Sequence, residues 1–291
     1  MGLKDLFGKK DKEPKVKIVD EKGVGHGDHW AAVIGDHGLE MLQQRLMSKL
    51  EQGMPVVHQI KWVGHNIQHD KKMVNVTTAL MSKEGTLRDM IVLVNKSLWT
   101  SFPVTLMGVN IPSLYSVAMT WENRIEGWLG VYFPINKDGS TAYLNVFDPT
   151  FYYHRGKLPQ TGRITLRAFN YIMRKRDPDR KIINPMGEEV ELAENFSGVF
   201  PMGRPGLDDL NITMVVRERE DIDLGGAPGY VFHGEVFGPE SSFSFPIISR
   251  ADRIQGEVPA VGESLESKAW VVGTPELSNV KPNGIPVKRK K

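Results

Sequence analysis

The sequence predicts an α+β protein that is mainly β, in which two similar small β units follow a small α+β N-terminal region. The chain has 29 Gly and 18 Pro among 291 residues, and this composition favours many turns. A turn pattern at residues 155–173 also recurs one hundred residues later, at residues 255–272. The recurrence suggests a degenerate duplication.

Each copy of the pattern is interpreted as a turn that leads into a strand. Proline fixes φ at the first turn position, and glycine supplies the positive φ that other residues resist. After the first turn, small and aliphatic residues alternate with Thr165, Arg167 and Phe169, which is typical of a strand. The turn residues of the two copies are Gly156 and Gly256, Pro159 and Pro259, and Gly162 and Gly262.

An aromatic strand that contains glycine precedes each turn, at residues 127–133 and 230–237. The order of strand, strand, Gly-Pro-Gly turn and strand resembles the second half of an OB-fold-like small β-barrel. The resemblance implies two OB-like small β-barrel units. The predicted division is a basic leader (1–17), an α+β region (18–119), unit one (120–176), a connector (177–229), unit two (230–275) and a basic tail (276–291).

The N-terminal region carries the clearest helix signal of the chain. Leucines form a helical stripe over residues 39–52, which Asp36 precedes as an N-cap and Gly53 ends. Short apolar runs at 74–81, 90–94 and 104–109 predict strands, and a helix over 82–93 is the alternative for part of that stretch.

The positive charge of the chain belongs to its ends. Residues 1–17 carry a net charge of +3 and residues 281–291 carry +5, so the rest carries −6 within a total of +2. A body that coats nucleic acid by its overall charge is therefore excluded. The leader is expected to be disordered, although contact with an anionic membrane stays open.

Cysteine is absent, which excludes disulfides, thiolate nucleophiles and cysteine-ligated metals. No apolar run is long enough to span a bilayer, so a cytoplasmic location is expected. Phosphate-binding, nucleophile-elbow and kinase motifs are missing too. We therefore expect no catalytic residue and no cofactor, although an enzyme whose catalytic residues are distant in sequence stays open.

Six of the eight histidines lie within residues 26–69. His65 and His69 have the spacing that a pair of metal ligands needs on a helix, but Gly64 and Asn66 disfavour a helix there. Surface histidines are the preferred interpretation. A metalloenzyme that uses some of His26, His29, His65 and His69 remains an alternative.

The stretch from 155 to 181 has nine basic residues against two acidic ones, a local charge of +7. Basic residues interleaved with aromatic ones suit single-stranded nucleic acid, because phosphates attract cations and unpaired bases stack on flat rings. A solvated sheet face is the alternative interpretation. The candidate contact residues are Arg163, Arg167, Phe169, Tyr171, Tyr152, Tyr153, Arg174 and Lys175.

Two functions follow from these patterns. The first is a non-enzymatic module that binds single-stranded nucleic acid through unit one, assisted by the basic tail. The second is an assembly protein whose strand edges and leucine-striped helix meet copies of itself or another protein.

Overall fold

The computed structural model of the chain describes residues 16–21, 29, 32, 63–69, 72–81, 87–94, 97–105, 108–121, 126–136, 139–154, 156–177, 181–183, 189–191, 196–202, 208–224, 227–237 and 243–276. These residues are mainly β-strands, as predicted. The predicted helix at 39–52 and both chain ends lie outside the described residues. No helix in the described part has the length and hydropathy needed to cross a membrane.

Four N-terminal strands form an antiparallel meander of their own. The strands expected at 74–81 and 90–94 are confirmed as β3 and β4, and the alternative helix over 82–93 is wrong because β4 covers most of it. Residues 104–109, the last expected strand, are divided between two strands: they include the end of β5 and the start of β6. The four strands are β2 Val63–His69, β3 Lys72–Met81, β4 Leu87–Val94 and β5 Ser97–Thr105.

A second sheet contains eleven strands. Its first half comprises β1 Lys17–Glu21, β6 Val109–Trp121, β7 Glu126–Pro134, β8 Thr141–Phe147 and β9 Thr161–Lys175. Its second half comprises β12 Gly198–Pro201, β13 Asp209–Asp223, β14 Pro228–Glu235, β15 Ser244–Arg250, β16 Ile254–Gln255 and β17 Ser264–Pro275. A separate short pair is β10 Ile182–Ile183 with β11 Glu189–Val190.

Strand pairing closes two rings. Ring one consists of β6, β7, β8, β17 and β9, in that order, with β9 returning to β6. Ring two consists of β13, β14, β15, β9 and β17, with β17 returning to β13. Both rings therefore share the antiparallel pair of β9 and β17. The first strand of each ring begins before the predicted start of its unit: β6 begins before residue 120, and β13 begins before residue 230.

The two rings repeat the same kinds of contact. Each ring contains a three-stranded meander, β6–β7–β8 in ring one and β13–β14–β15 in ring two. The last strand of each meander runs parallel to one of the shared long strands: β8 to β17, and β15 to β9. In ring one this parallel contact is Phe147 with Val272, and in ring two it includes Ile247 with Ala168. A short helix follows each meander: α1, Phe151–His154, in ring one and a 3-10 turn, Ala251–Arg253, in ring two.

Glycine has a conformational role after each short helix. Gly156 and Gly256 adopt φ values of 74° and 79°, which lie in the left-handed region that favours glycine. The second glycines differ, because Gly262 has a φ of 89° in a turn whereas Gly162 is already part of β9. The predicted turn pattern is thus matched at its first glycine in both copies.

The shared pair explains where the core lies. Ile164, Leu166 and Ala168 of β9 are fully buried, as their alternation predicts. In the middle of the pair, however, the other face is also covered, so that Phe169 and Trp270 are buried as well. The central residues of β9 and β17 have no solvent-facing side because the two rings meet there.

Candidate functional site

Burial changes the predicted basic face of β9. Arg167 is only 2% exposed and Phe169 only 1%, so the expectation that these two side chains face solvent is wrong. The periodicity of the strand is correct, but the junction of the two rings covers both of its faces. Arg163, nearer the start of β9, is exposed.

The two cations near the end of β9 face carboxylates of ring two. Arg174 donates to Glu266 at 2.7 Å, and Lys175 lies 2.5 Å from Glu263. The hydrogen bond to Glu263 raises the pKa of Lys175. The pKa of Glu263 is lowered, first by the backbone N–H of Ala260 and then by Lys175. Two of the nine cations in the stretch from 155 to 181 are therefore paired with carboxylates in the fold.

Tyr171 belongs to a cluster on the outside of the junction. Its hydroxyl donates to Asp209 at 2.7 Å, so His29 Nδ1, which contacts the same hydroxyl, must be the donor in that contact. The imidazole of His29 stacks on Trp270 with ring centroids 4.6 Å apart. Trp270 in turn donates to Asp208 at 2.6 Å. Tyr171 therefore serves to hold the junction together.

The remaining predicted aromatics and histidines have fewer observations. Tyr152 and Tyr153 lie in α1, and their side chains lie outside what the structure describes. Two of the histidines, His65 and His69, are part of strand β2, so the helical arrangement of a ligand pair is absent. His26 lies outside the described residues. Within the described ranges no group of three acidic or histidine side chains is placed to hold a metal ion.

A buried polar cluster connects β8 to α1. The backbone N–H of Gly156 donates to Nδ1 of His154 at 3.0 Å, so the imidazole proton must be on Nε2, which contacts Asp148. Thr150 adds two hydrogen bonds to the other carboxylate oxygen, at 2.7 and 2.8 Å. Both imidazole nitrogens are thus occupied and buried, which makes a structural role better supported than acid–base catalysis.

Arg167 lies in the electrostatic field of this cluster. Its Nη2 donates to Thr274 of β17 at 2.8 Å. Burial lowers the pKa of Arg167 to about 10, although the charge of Asp148 opposes that effect. The cation that sequence reasoning placed on a binding face lies instead in the interior of ring one.

The outer face of ring one presents two exposed tyrosines. Tyr132 on β7 and Tyr143 on β8 are directly paired, are 38% and 43% exposed, and have ring centroids 4.9 Å apart. Gly130 makes this possible, since a Cβ there would lie 2.2 Å from the Tyr143 hydroxyl. Partial burial raises the pKa of Tyr143, so its hydroxyl stays protonated at neutral pH. The pair is a solvent-facing aromatic platform.

The same face continues across β6 to the start of β9. Leu114 pairs with Tyr132 on one side and with Thr161 on the other, and Arg163 follows Thr161 on the same face. With neighbouring strands about 4.8 Å apart, Arg163 lies roughly 10 Å across the sheet from the line of Tyr132. We call this surface, with Tyr132, Tyr143, Leu114, Thr161 and Arg163, the tyrosine face.

Asn110 holds Arg163 in place on the tyrosine face. The guanidinium donates from Nε to the Asn110 side chain and from Nη2 to its carbonyl at 2.8 Å. Asn110 also donates to Glu276 at 2.8 Å. Only two of the five guanidinium N–H groups are used in these bonds. Arg163 is therefore oriented and retains donors for a ligand.

Ring two has a groove of its own, with a volume of about 380 Å³. Exposed Phe200 and Ile172 lie at its sides, and Lys268 and Glu266 are among its lining residues. From the start of β13 to the end of β17 the chain carries five basic and eleven acidic residues, a net −6. From β6 to β9 it carries eight basic and four acidic residues, a net +4. The whole excess of +4 comes from Arg163, Arg167, Arg174 and Lys175 of β9, the strand that both rings share, and of these Arg163 lies on the tyrosine face.

Sequence reasoning missed Tyr132 and Tyr143. A signal for the hairpin is present, because Asp138-Gly139 is a common hairpin turn, and the hairpin pairs these two tyrosines. Their exposure depends on which face of the hairpin points into the ring. The alternation of residues along the two strands does not show which face that is.

Comparison with known proteins gives no match to a family model, to a curated protein or to a solved structure.

Proposed function

We propose that this protein is a non-enzymatic module that binds single-stranded nucleic acid through the tyrosine face of ring one. The observation that carries the proposal is the exposed pair of Tyr132 and Tyr143, with the oriented guanidinium of Arg163 on the same face. Aromatic platforms stack with unpaired bases of any sequence, and cations neutralise the phosphates between them.

We also propose that the rings are OB-like units derived from a duplication. Ring one supports this through its order of meander, long strand and parallel closing contact, with a short helix before the long strand. Ring two repeats the arrangement, and Gly156 and Gly256 occupy the corresponding turns. In OB folds the second and third strands contribute to the ligand face. The corresponding strands of ring one are β7 and β8, which carry the two tyrosines.

The size of the expected effect can be estimated for each part of the face. Base stacking on an aromatic side chain contributes about 1 to 3 kcal/mol per base. A phosphate contact from Arg163 adds a salt-dependent contribution through counterion release. The positive charge on the face itself is that of Arg163, which favours the approach of a polyanion, and Glu276 beside Asn110 weakens this locally.

The test is fluorescence anisotropy of a labelled single-stranded oligonucleotide with the full chain and its variants. Tyr132→Ala combined with Tyr143→Ala should weaken binding by about tenfold or more, and Arg163→Ala should reduce its salt dependence. Phe200→Ala is the matched control, because Phe200 is a similarly exposed aromatic residue (46%) on β12, which pairs with β13 beside ring two. It should bind as the wild type does.

The basic chain ends will bind nucleic acid weakly in every variant, so the comparison between variants is decisive. Equal affinity of the wild type and the double tyrosine variant would refute the proposed face. Binding that is lost equally in the Phe200→Ala control would point to ring two instead.

A further inference from the structure

The groove of ring two lies on the outer face of four adjacent strands, β12, β13, β17 and β9. Their register places Phe200, Asn211, Lys268 and Ile172 side by side in one row across these strands. The residue after Asn211, Ile212, belongs to the buried core, so Asn211 and its row face outward. The groove therefore has a polar floor between two exposed apolar side chains.

The aromatic side of the groove is held in place by a second ring. Phe196 stacks on Phe200 with ring centroids 6.0 Å apart and ring planes 15° apart. Gly198 lies between them in sequence, and a Cβ there would lie only 3.1 Å from the ring of Phe196 and 3.3 Å from that of Phe200. The absence of a side chain at Gly198 therefore leaves room for both rings.

The next row of the same face contains an ion pair that compensates its own charge. Thr213, Glu266 and Arg174 lie side by side there, two residues along each strand from the first row. Arg174 donates to Glu266 from Nε at 3.0 Å and from Nη2 at 2.7 Å. These two charges are therefore directed at each other across the shared strands.

Lys268 is the charged group of the groove that remains for a ligand. Within the described part of the chain its side chain makes no ion pair or hydrogen bond, and the same is true of the side chains of Asn211 and Thr213. With Arg174 and Glu266 compensating each other, the residues that line the groove carry a net charge of +1. An ammonium group and an amide can together donate to a carboxylate, sulfonate or phosphate oxygen.

We propose that the groove of ring two binds a small organic anion that has one negative group and one flat apolar group. The negative group lies at Lys268 and Asn211, and the apolar group packs on Phe200. Neighbouring strands are about 4.8 Å apart, so β12 and β17 are separated by roughly 10 Å, which one small molecule can bridge. The groove volume of about 380 Å³ lies within the range of small-molecule sites.

The same residues select against a polymer of many charges. A nucleic acid strand carries a phosphate at every nucleotide, whereas Lys268 is the single cation lining the groove that has no carboxylate partner among the described residues. A second phosphate would lie near the carboxylate of Glu266, which repels it. Charge complementarity therefore matches the groove to a ligand with a single anionic group.

Fluorescence titration of the full chain with anilinonaphthalene sulfonate, an aromatic anion, tests the proposal. Lys268→Gln should weaken its binding about fivefold or more, because the charged contact is lost. Phenylnaphthylamine has the same rings without the sulfonate, and its affinity should be unchanged by Lys268→Gln. Lys157→Gln is the matched control, since Lys157 is an exposed lysine outside the groove.

Two outcomes would overturn the proposal directly. One is a wild type that does not bind the sulfonate, and the other is equal affinity of the wild type and Lys268→Gln. Phe200→Ala should weaken the binding of both probes, with circular dichroism showing that the variant is folded. If that variant does not fold, the comparison of Lys268→Gln with Lys157→Gln still decides the result.

The outcome is independent of the proposed nucleic acid binding. Tyr132→Ala combined with Tyr143→Ala leaves the groove intact, so this variant should bind the sulfonate as tightly as the wild type. Lys268→Gln leaves the tyrosine face intact and should retain oligonucleotide binding. Sulfonate binding that falls equally in the double tyrosine variant and in Lys268→Gln would overturn the groove as the site.

Discussion

Ring one and ring two share a strand order and differ in what they present to solvent. Both consist of a meander closed by the same two long strands. The second and third strands of ring one expose Tyr132 and Tyr143, whereas no aromatic residue of β14 or β15 is exposed. Net charge also differs outside the two shared strands, at 0 for residues 109–160 and −6 for residues 209–263.

This difference separates what builds a ring from what gives it a surface. Pairing needs alternation of apolar residues on the inner face and a glycine where the turn requires it, and both rings meet those needs. The outer positions have no such requirement, so they can carry tyrosines in one ring and carboxylates in the other. If the rings arose from one ancestor, nucleic acid binding would be expected in one copy only.

The strongest way to test whether the rings depend on each other is to remove their shared tryptophan. Trp270 is fully buried and packs against Phe147 of ring one and Phe169 of the shared pair. Trp270→Ala should lower the free energy of unfolding by about 3 to 5 kcal/mol, measured by urea denaturation. Val261→Ala, at a position that is 63% exposed, is the control and should change little. A loss below about 1 kcal/mol would mean that the junction does not couple the rings.

A medium effect is expected from Arg167, which is buried in ring one. Its folded pKa is about 10, below the ordinary 12.5, so in alkali the native protein releases a proton that the unfolded chain keeps. Stability gained from this group therefore rises with pH above 10. Burial raises the pKa of Tyr115, so the native protein keeps a proton that the unfolded chain loses, and that contribution falls with pH.

Arg167→Met removes the pH-dependent contribution of Arg167 to stability and leaves that of Tyr115. Between about pH 9 and about pH 11, the variant should lose about 1 kcal/mol more unfolding free energy than the wild type does. Urea denaturation at each pH measures the difference. Arg217→Met, at an exposed position of β13, should keep the wild-type slope. Parallel pH profiles for wild type and Arg167→Met would contradict the buried cation.

The smallest effect is expected where ring two compensates the charges of β9. Arg174 and Glu266 form a pair whose side chains are 41% and 22% exposed. Glu266→Gln should therefore change the free energy of unfolding by less than about 1 kcal/mol, and high salt should reduce the difference further. A loss of several kcal/mol in thermal or urea unfolding would show that this ion pair is needed to hold β9 and β17 together.

Particular residues illustrate how far sequence reasoning reached. The alternation of Ile164, Leu166 and Ala168 predicted a strand with a buried face, and that face is buried. The same alternation predicted an outward Arg167 and Phe169, which the second ring covers. The sequence pattern predicts Arg174 and Lys175 as available cations, but their carboxylate partners lie about ninety residues away in the chain. Local patterns carry no information about such distant partners.

By itself the sequence determined that the described chain is mainly β, where its turns occur and which strand faces are apolar, because these depend on φ preferences and on a period of two. The tertiary structure decided that β9 and β17 are shared, that their central residues are buried on both sides, and that the exposed aromatics lie on β7 and β8. Those features depend on which distant strands pair, and burial is a property of the neighbours that pairing supplies.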